Sequence, residues 1–379
     1  MSIRETARPA LLKFDPDLNR LDDEGKELRD GLSAAVLDGD TLWLAGDETT
    51  RLERLVRDRG DVFHDHKQFP LSVPLDLQAP ETEEADIEGL AVADGYLWLV
   101  GSHSLKRTKP KADKTPKKNR ERLAEVTSDG NRFLLARIPL VEDGATHRPE
   151  ETAGEGDGKR VAAQLHGDAK GSDLTTALKK DEHLGRFFVD AADANSGIPG
   201  KDNGFDIEGL LVSGGRVLLG LRGPVLRGWA TVLEVEVRED EGNRSILRLE
   251  GIGEGGRPYR KHFLELGGLG VRDLCADGND LLILAGPTMD LDGPTAVFRW
   301  KDGARPAEES VVFAGDKLKR VLEVPFGRGA DHAEGITLLP AGGGGSREVL
   351  VIYDAPSGGR KRGREGEAVL RSDIFALNE

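Results

Sequence analysis

The sequence predicts an all-β protein of the propeller class, and three observations predict it. A short motif recurs along the chain, each copy reads as a β-hairpin, and 49 glycines among 379 residues supply the tight turns that many short strands require. The two best copies are Asp86-Ile87-Glu88-Gly89-Leu90-Ala91-Val92 with Leu97-Trp98-Leu99-Val100-Gly101, and Asp206-Ile207-Glu208-Gly209-Leu210-Leu211-Val212 with Val217-Leu218-Leu219-Gly220. Weaker copies run from Leu32 to Gly46, from Val271 to Gly286 and from Ala333 to Asp354. In each, two short apolar runs flank a turn, and the runs are too short for helices.

Further strand-like pieces follow most hairpins. Leu123 to Thr127 and Phe133 to Pro139 follow the second, and Ala230 to Val237 and Ser245 to Glu250 follow the third. Four antiparallel strands in a repeated unit make a propeller blade. The last unit has a third strand at Ser372 to Leu377 and then the chain ends, while Ala10 to Phe14 is a spare N-terminal strand that could complete it and close the ring. With Ser33, Glu88, Glu208, Asp273 and Glu334 as equivalent positions, the intervals are 55, 120, 65 and 61 residues. The long interval favours five blades with a partly helical insertion around 143–203, a sixth blade hidden there being the alternative. Within it, Ser172 to Phe187 opens on a capping residue and reads as helix. One domain, 1–379, contains the insertion.

Composition narrows the function classes. A formal charge of −15 argues against nucleic-acid binding. No apolar run is long enough to span a bilayer, the first residues mix charge and proline, and the single Cys275 sits among apolar residues, so the expectation is a soluble cytoplasmic protein with no membrane partner. Between Lys106 and Arg122, nine basic residues face only Asp113 and Glu121, in a stretch that reads as a solvated loop.

In a propeller the starts of the inner strands and the loops after the second strands share one face. That face should collect Asp86, Glu88, Asp206, Glu208, Asp273, His332 and Glu334. Carboxylates brought so close raise one another's pKa unless a cation stands among them, and an oxygen-rich ring suits Ca²⁺ or Mg²⁺. The expected metal ligands are therefore Asp86, Glu88, Asp206, Glu208, Asp273 and Glu334. The same motif acids could instead bond backbone amides and hold neighbouring blades together, or serve as a metal-free acid/base site. Loops on that face add Ser102, Lys106, Arg107 and Arg227 to bind an anionic substrate, with His103 and Arg222 as catalytic groups for a metal-assisted phosphoester hydrolysis.

At Asp86 to Leu90, Gly101 to Ser104, Asn203 to Leu210 and Gly220 to Trp229, the sequence resembles a bacterial family catalogued as domain of unknown function 3616. It is also distantly similar to phytase-related, esterase-like propellers, which share a Glu-Gly-Leu element at inner-strand starts. The first resemblance implies the fold and no activity. The second implies phosphoester or ester hydrolysis by analogy. The functional expectation is a metal-dependent hydrolase of phosphoesterase or lactonase type, and the rival is a non-catalytic propeller module that binds an anionic small molecule or a protein partner. Ser33 and Asp273 depart from the motif Glu and break the ring's symmetry.

Overall fold

Turn chemistry sets the hairpins. The computed structural model describes residues 7–58, 60–189, 197–340 and 347–377. Its hairpins pair Leu32–Asp38 with Thr41–Gly46, Ile87–Ala93 with Tyr96–Gly101, Asp206–Ser213 with Arg216–Gly223, Gly270–Asp277 with Asp280–Gly286, and His332–Leu338 with Glu348–Asp354. Asp94-Gly95 and Gly214-Gly215 turn with both residues at positive φ, the geometry whose twist matches that of the flanking strands.

The first strands of these five hairpins touch one another in a closed cycle, each beside the next and the last beside the first. The chain is therefore a β-propeller. Arg51–Arg57 and Val62–Pro70 complete the first unit, and Thr295–Trp300 and Leu318–Val324 the fourth. In the third, the long strand Ala230–Glu239 pairs with Arg260–Leu264 along one half and with Ile246–Leu249 along the other. The fifth unit is closed from the opposite end of the chain: Arg8–Phe14 runs antiparallel to Ala368–Ala376, with Leu12 opposite Leu370.

Apolar side chains fill the spaces between neighbouring units rather than one central core. Ala34, Trp43 and Leu52 pack with Ile87, Leu97 and Ala136 between the first and second. Trp98 and Leu135 meet Leu210 and Leu219 in the next space, and corresponding clusters bridge third to fourth, fourth to fifth, and fifth to first. Burying both faces of each sheet in this way explains runs such as Leu97-Trp98-Leu99-Val100, in which apolar residues do not alternate with polar ones.

The motif has a common backbone cause. In each inner strand the pairing skips one residue, a β-bulge, at Ser33, Glu88, Glu208, Arg272 and Glu334. A bulge leaves its residue out of the ladder and re-aims the side chain, here toward the channel mouth. The glycine after it lets the next inner strand approach. A Cβ on Gly89 would lie 2.6 Å from Leu210 Cβ, and one on Gly209 would lie 2.8 Å from Leu274 Cγ.

Three sequence expectations are corrected. Arg272, not Asp273, occupies the motif-acid position in the fourth unit, because Val271 pairs with Ala285 and Asp273 with Leu284. Leu123 to Thr127 is not a full blade strand: Pro116–Ala124 is a helix capped by Thr115, with only Val126–Thr127 extended, and Leu135–Asp143 is the strand that follows Tyr96–Gly101. Within 143–203, the helix is Asp173–Leu178 and a separate 3-10 turn covers Gly185–Phe187. The Ser172–Thr175 capping box starts that helix as expected. Ala163–Leu165 of the same segment adds an outer strand to the second unit. No helix among the described residues is long and apolar enough to cross a membrane.

Candidate functional site

The mouth is built from two tiers of each hairpin. The bulge residues Glu88, Glu208, Arg272 and Glu334 form one tier. Residues at the ends of the second strands lie beside them: Asp47 and Ser102 just past the last pair, Arg222 skipped in the ladder before Gly223, and Asp354 paired with His332. Asp86 and Asp206 open the second and third inner strands, and Asp86 is held at φ 47° in the left-handed region. Asp47, Asp86, Glu88, Asp206 and Arg222 line one cavity, and Arg222, Arg272, Glu334 and Asp354 line a second, which shares Lys201, Arg222 and Asp290 with the first.

Arginine neutralises most of the ring. Arg222 pairs with Asp206 and, at 2.6 Å, with Glu208. Arg272 Nη1 lies 3.2 Å from Glu208 and 2.5 Å from Glu334. Arg132 lies 2.5 Å from Asp86 and 3.1 Å from Glu84, and also donates to Ser104 Oγ at 3.0 Å. Each planar guanidinium serves two or more carboxylates here, Arg132 also reaching Asp129, and Arg272 ties the third unit to the fifth.

Asp273 has the bonding role that the sequence left open for the motif acids. Its carboxylate accepts from the backbone N–H of Leu274 at 2.7 Å and of Ile336 at 2.8 Å, tying the fourth inner strand to the fifth. Ser33 makes a similar tie, donating from Oγ to the carbonyl of Ile87 at 2.5 Å.

Of the six expected metal ligands, Asp86, Asp206, Glu208 and Glu334 are thus committed to arginine and Asp273 to backbone amides. Glu88 alone is left. Among the described residues no group of three or more His, Cys, Asp or Glu is arranged to hold a metal ion. The residues present do not fit the expected Ca²⁺ or Mg²⁺ ring: guanidinium groups stand where the cation's charge was needed.

The expected substrate-binding residues divide as well. Ser102 is buried against Ser104, 2.9 Å between hydroxyls. Lys106 pairs with Glu84 and, at 2.5 Å, with Asp129, and Arg107 pairs with Asp202 at 2.7 Å. Arg227 is exposed at positive φ in the turn before Trp229 and lines neither cavity of the mouth. His103, read as a catalytic group, faces elsewhere. The residue is 3% exposed, its Nδ1 bonds the Gly101 carbonyl at 2.9 Å, and its ring meets Phe133 edge-on. Burial lowers its pKa to about 4, so it is a neutral core imidazole. Arg222 is at the mouth, with its charge divided between Asp206 and Glu208.

Once these pairs are removed, three ionisable groups lining the first cavity are in no ion pair among the described residues: Asp47, Glu88 and Lys201. Asp47 Oδ1 is buried with no hydrogen-bond partner. Burial, then Asp86 and Asp354, pushes the Asp47 carboxyl up to about 8. Burial, then Asp86, Glu208, Asp206 and Asp47, holds Glu88 well above the ordinary carboxylate range. Lys201 is raised although burial and Arg222 oppose it, because Glu88, Asp47 and Asp86 favour its charge.

Lys201, Arg132 and Arg272 were not anticipated from the sequence. Arg272 precedes Asp273, and aligning the repeat on apolar pairing instead of on acids would have found it. Lys201 lies in a turn and Arg132 in the short 3-10 helix Gly130–Phe133, and neither carries a repeat signal.

Comparison of the sequence with protein families matches residues 31–370 to the family described as Protein of unknown function (DUF3616). The chain belongs to that family. No curated protein matches the sequence. Among solved structures, this DUF3616 chain is similar to Myxococcus xanthus glutaminyl cyclase (9% identity, 100% of both chains, TM-score 0.39). It is also similar to the PQQ-bound aldose sugar dehydrogenase of Streptomyces coelicolor (12%, 98% and 99%, 0.36) and to the Cps50 (Swd1) propeller domain of Myceliophteria thermophila (12%, 92% and 96%, 0.33).

Proposed function

We propose that the channel mouth is the active site of a hydrolase working by carboxyl acid–base chemistry, with Glu88 and Asp47 as the proton-exchanging pair and Lys201 holding the substrate's polar oxygen. One observation carries this reading. Among the described residues, the other carboxylates of the mouth are held by arginine, lysine, histidine or backbone, whereas Glu88 and Asp47 are in no ion pair and stand beside an unpaired Lys201 ammonium. Structural carboxylates are normally paired, so unpaired ones at a rigid mouth are candidates for chemistry.

Two buried carboxyls that both hold their protons above the ordinary range can divide the work of hydrolysis once one of them ionises. Asp47, once ionised, takes a proton from water as the water oxygen bonds to the ester centre. Glu88 gives its proton to the leaving oxygen as that bond breaks. Lys201 and the neighbouring Arg222 favour the negative charge that develops between these events. The atoms balance with water as the only co-reactant.

The test is turnover on a panel of phosphoesters, carboxylic esters and lactones, with wild type beside Glu88→Gln. General acid catalysis contributes about 10²–10⁴-fold, so a fall of that order in kcat with unchanged thermal stability is expected. Equal turnover in the variant would overturn the assignment. The rival reading is a ligand-binding propeller without catalysis, supported by the preformed, arginine-tied ring. It expects ligand binding at the mouth with no turnover of any panel member.

A further inference from the structure

Charge describes only half of the mouth. The segment after the fourth hairpin, residues 287–293, leans across the opening and is tied on both sides: Asp290 pairs with Lys109 at 3.4 Å, and Asp292 accepts from Gly329 N at 2.9 Å and meets His332 at 3.2 Å. Met289 bridges by backbone to Asp202. The acids of Met289-Asp290-Leu291-Asp292 thus anchor the segment, and the alternate apolar residues are left uncovered. Met289 is 43% exposed, Leu291 59% and, from the facing loop, Phe326 47%.

Single exposed apolar residues are ordinary, but these three line one cavity together with Lys201, Arg222 and Arg272. That cavity shares Lys201, Arg222 and Asp290 with the Glu88 and Asp47 cavity. A site with an apolar wall and a few convergent polar groups is the usual form of a small-molecule pocket. We infer that the ligand of this mouth is amphipathic: an oxyacid or its ester whose oxygens lie at Lys201 and whose aliphatic or aromatic group rests on Met289, Leu291 and Phe326. The commitment to an oxyanion head follows from Lys201, which lines both cavities and is in no ion pair among the described residues.

The inference names the substrate class of the proposed hydrolase, but its test needs no turnover. Calorimetric titration of the full chain with straight-chain carboxylates from acetate to octanoate, and with monoalkyl phosphates of the same lengths, reads the two halves separately. Each methylene laid on the wall should tighten binding roughly threefold. Leu291→Ser with Phe326→Ser should flatten that series without weakening acetate or methyl phosphate, and Lys201→Met should weaken every member by a common factor. The head group with the tighter series identifies a carboxylic or a phosphoric ester. Affinity independent of chain length, a slope that survives the double substitution, or tighter binding of alkylammonium ions would overturn the inference. Absence of turnover with a chain-length slope would remove the hydrolase and leave the amphipathic ligand standing.

Discussion

At the scale of single residues, ionisation decides what the mouth can do. Asp47 is raised to about 8 by burial and by its acidic neighbours, so the folded protein holds a proton there that the unfolded chain releases near the ordinary aspartate value of about 4. Its contribution to stability is present in full below the unfolded pKa and is lost as pH rises through the folded one. Thermal unfolding of wild type should therefore show a decline from about pH 5 to pH 8 that Asp47→Asn reduces; identical profiles would contradict the assignment. The same ionisation should appear in kinetics. If Asp47 is the base, the rate climbs toward pH 8 as its carboxylate forms. Glu88 and Asp86 were visible in the sequence as motif acids, and Arg222 as a basic neighbour. Which carboxylates pair was not visible, because Arg132 reaches Asp86 across 46 positions and Arg272 reaches Glu334 across 62. Cys275 packs against the apolar cluster between the fourth and fifth units, and burial raises its thiol to about 12.

At the scale of elements, the Glu-Gly-Leu motif joins a bulge, a close approach and a packing contact. The glycine exists for the neighbouring strand, not for its own φ. Gly209→Ala would place a methyl group against Leu274 and the backbone of Asp273, and overpacking of that kind costs about 1–3 kcal/mol. Urea denaturation should read that loss in the variant, while Gly39→Ala, in an open turn at φ 60°, should show only the smaller cost of a left-handed alanine. Hairpins were legible because turn glycines and apolar runs are local signals. The helix Pro116–Ala124 was not legible, since it buries no residue and has no apolar face to reveal its period; Thr115 and Pro116 at its start were the available cue. The displaced register in the fourth unit has a similar cause. Asp273 matches the motif by chemistry, whereas a bulge is defined by the partner strand's hydrogen bonds.

At the scale of the whole molecule, closure by Arg8–Phe14 joins the two ends of the chain in one sheet. Ala10, Leu12 and Phe14 are buried there, while Lys13 is exposed. Leu12→Ala should cost about 2–5 kcal/mol in denaturant unfolding, in line with other buried leucines, and Lys13→Ala close to nothing. Equal effects would mean that the strand does not carry closure. This arrangement was expected from a missing fourth strand at one end and a spare one at the other. By itself the sequence determined the β class, the five hairpins, the closing strand and the convergence of several motif acids, since all of these follow from local periodicity and repetition. Only the tertiary structure decided that arginines fill the ring, that His103 turns inward, that Asp273 bonds backbone, and that Asp47, Glu88 and Lys201 stay uncommitted. Those outcomes depend on distances between side chains from different units, and such distances are set when the ring closes.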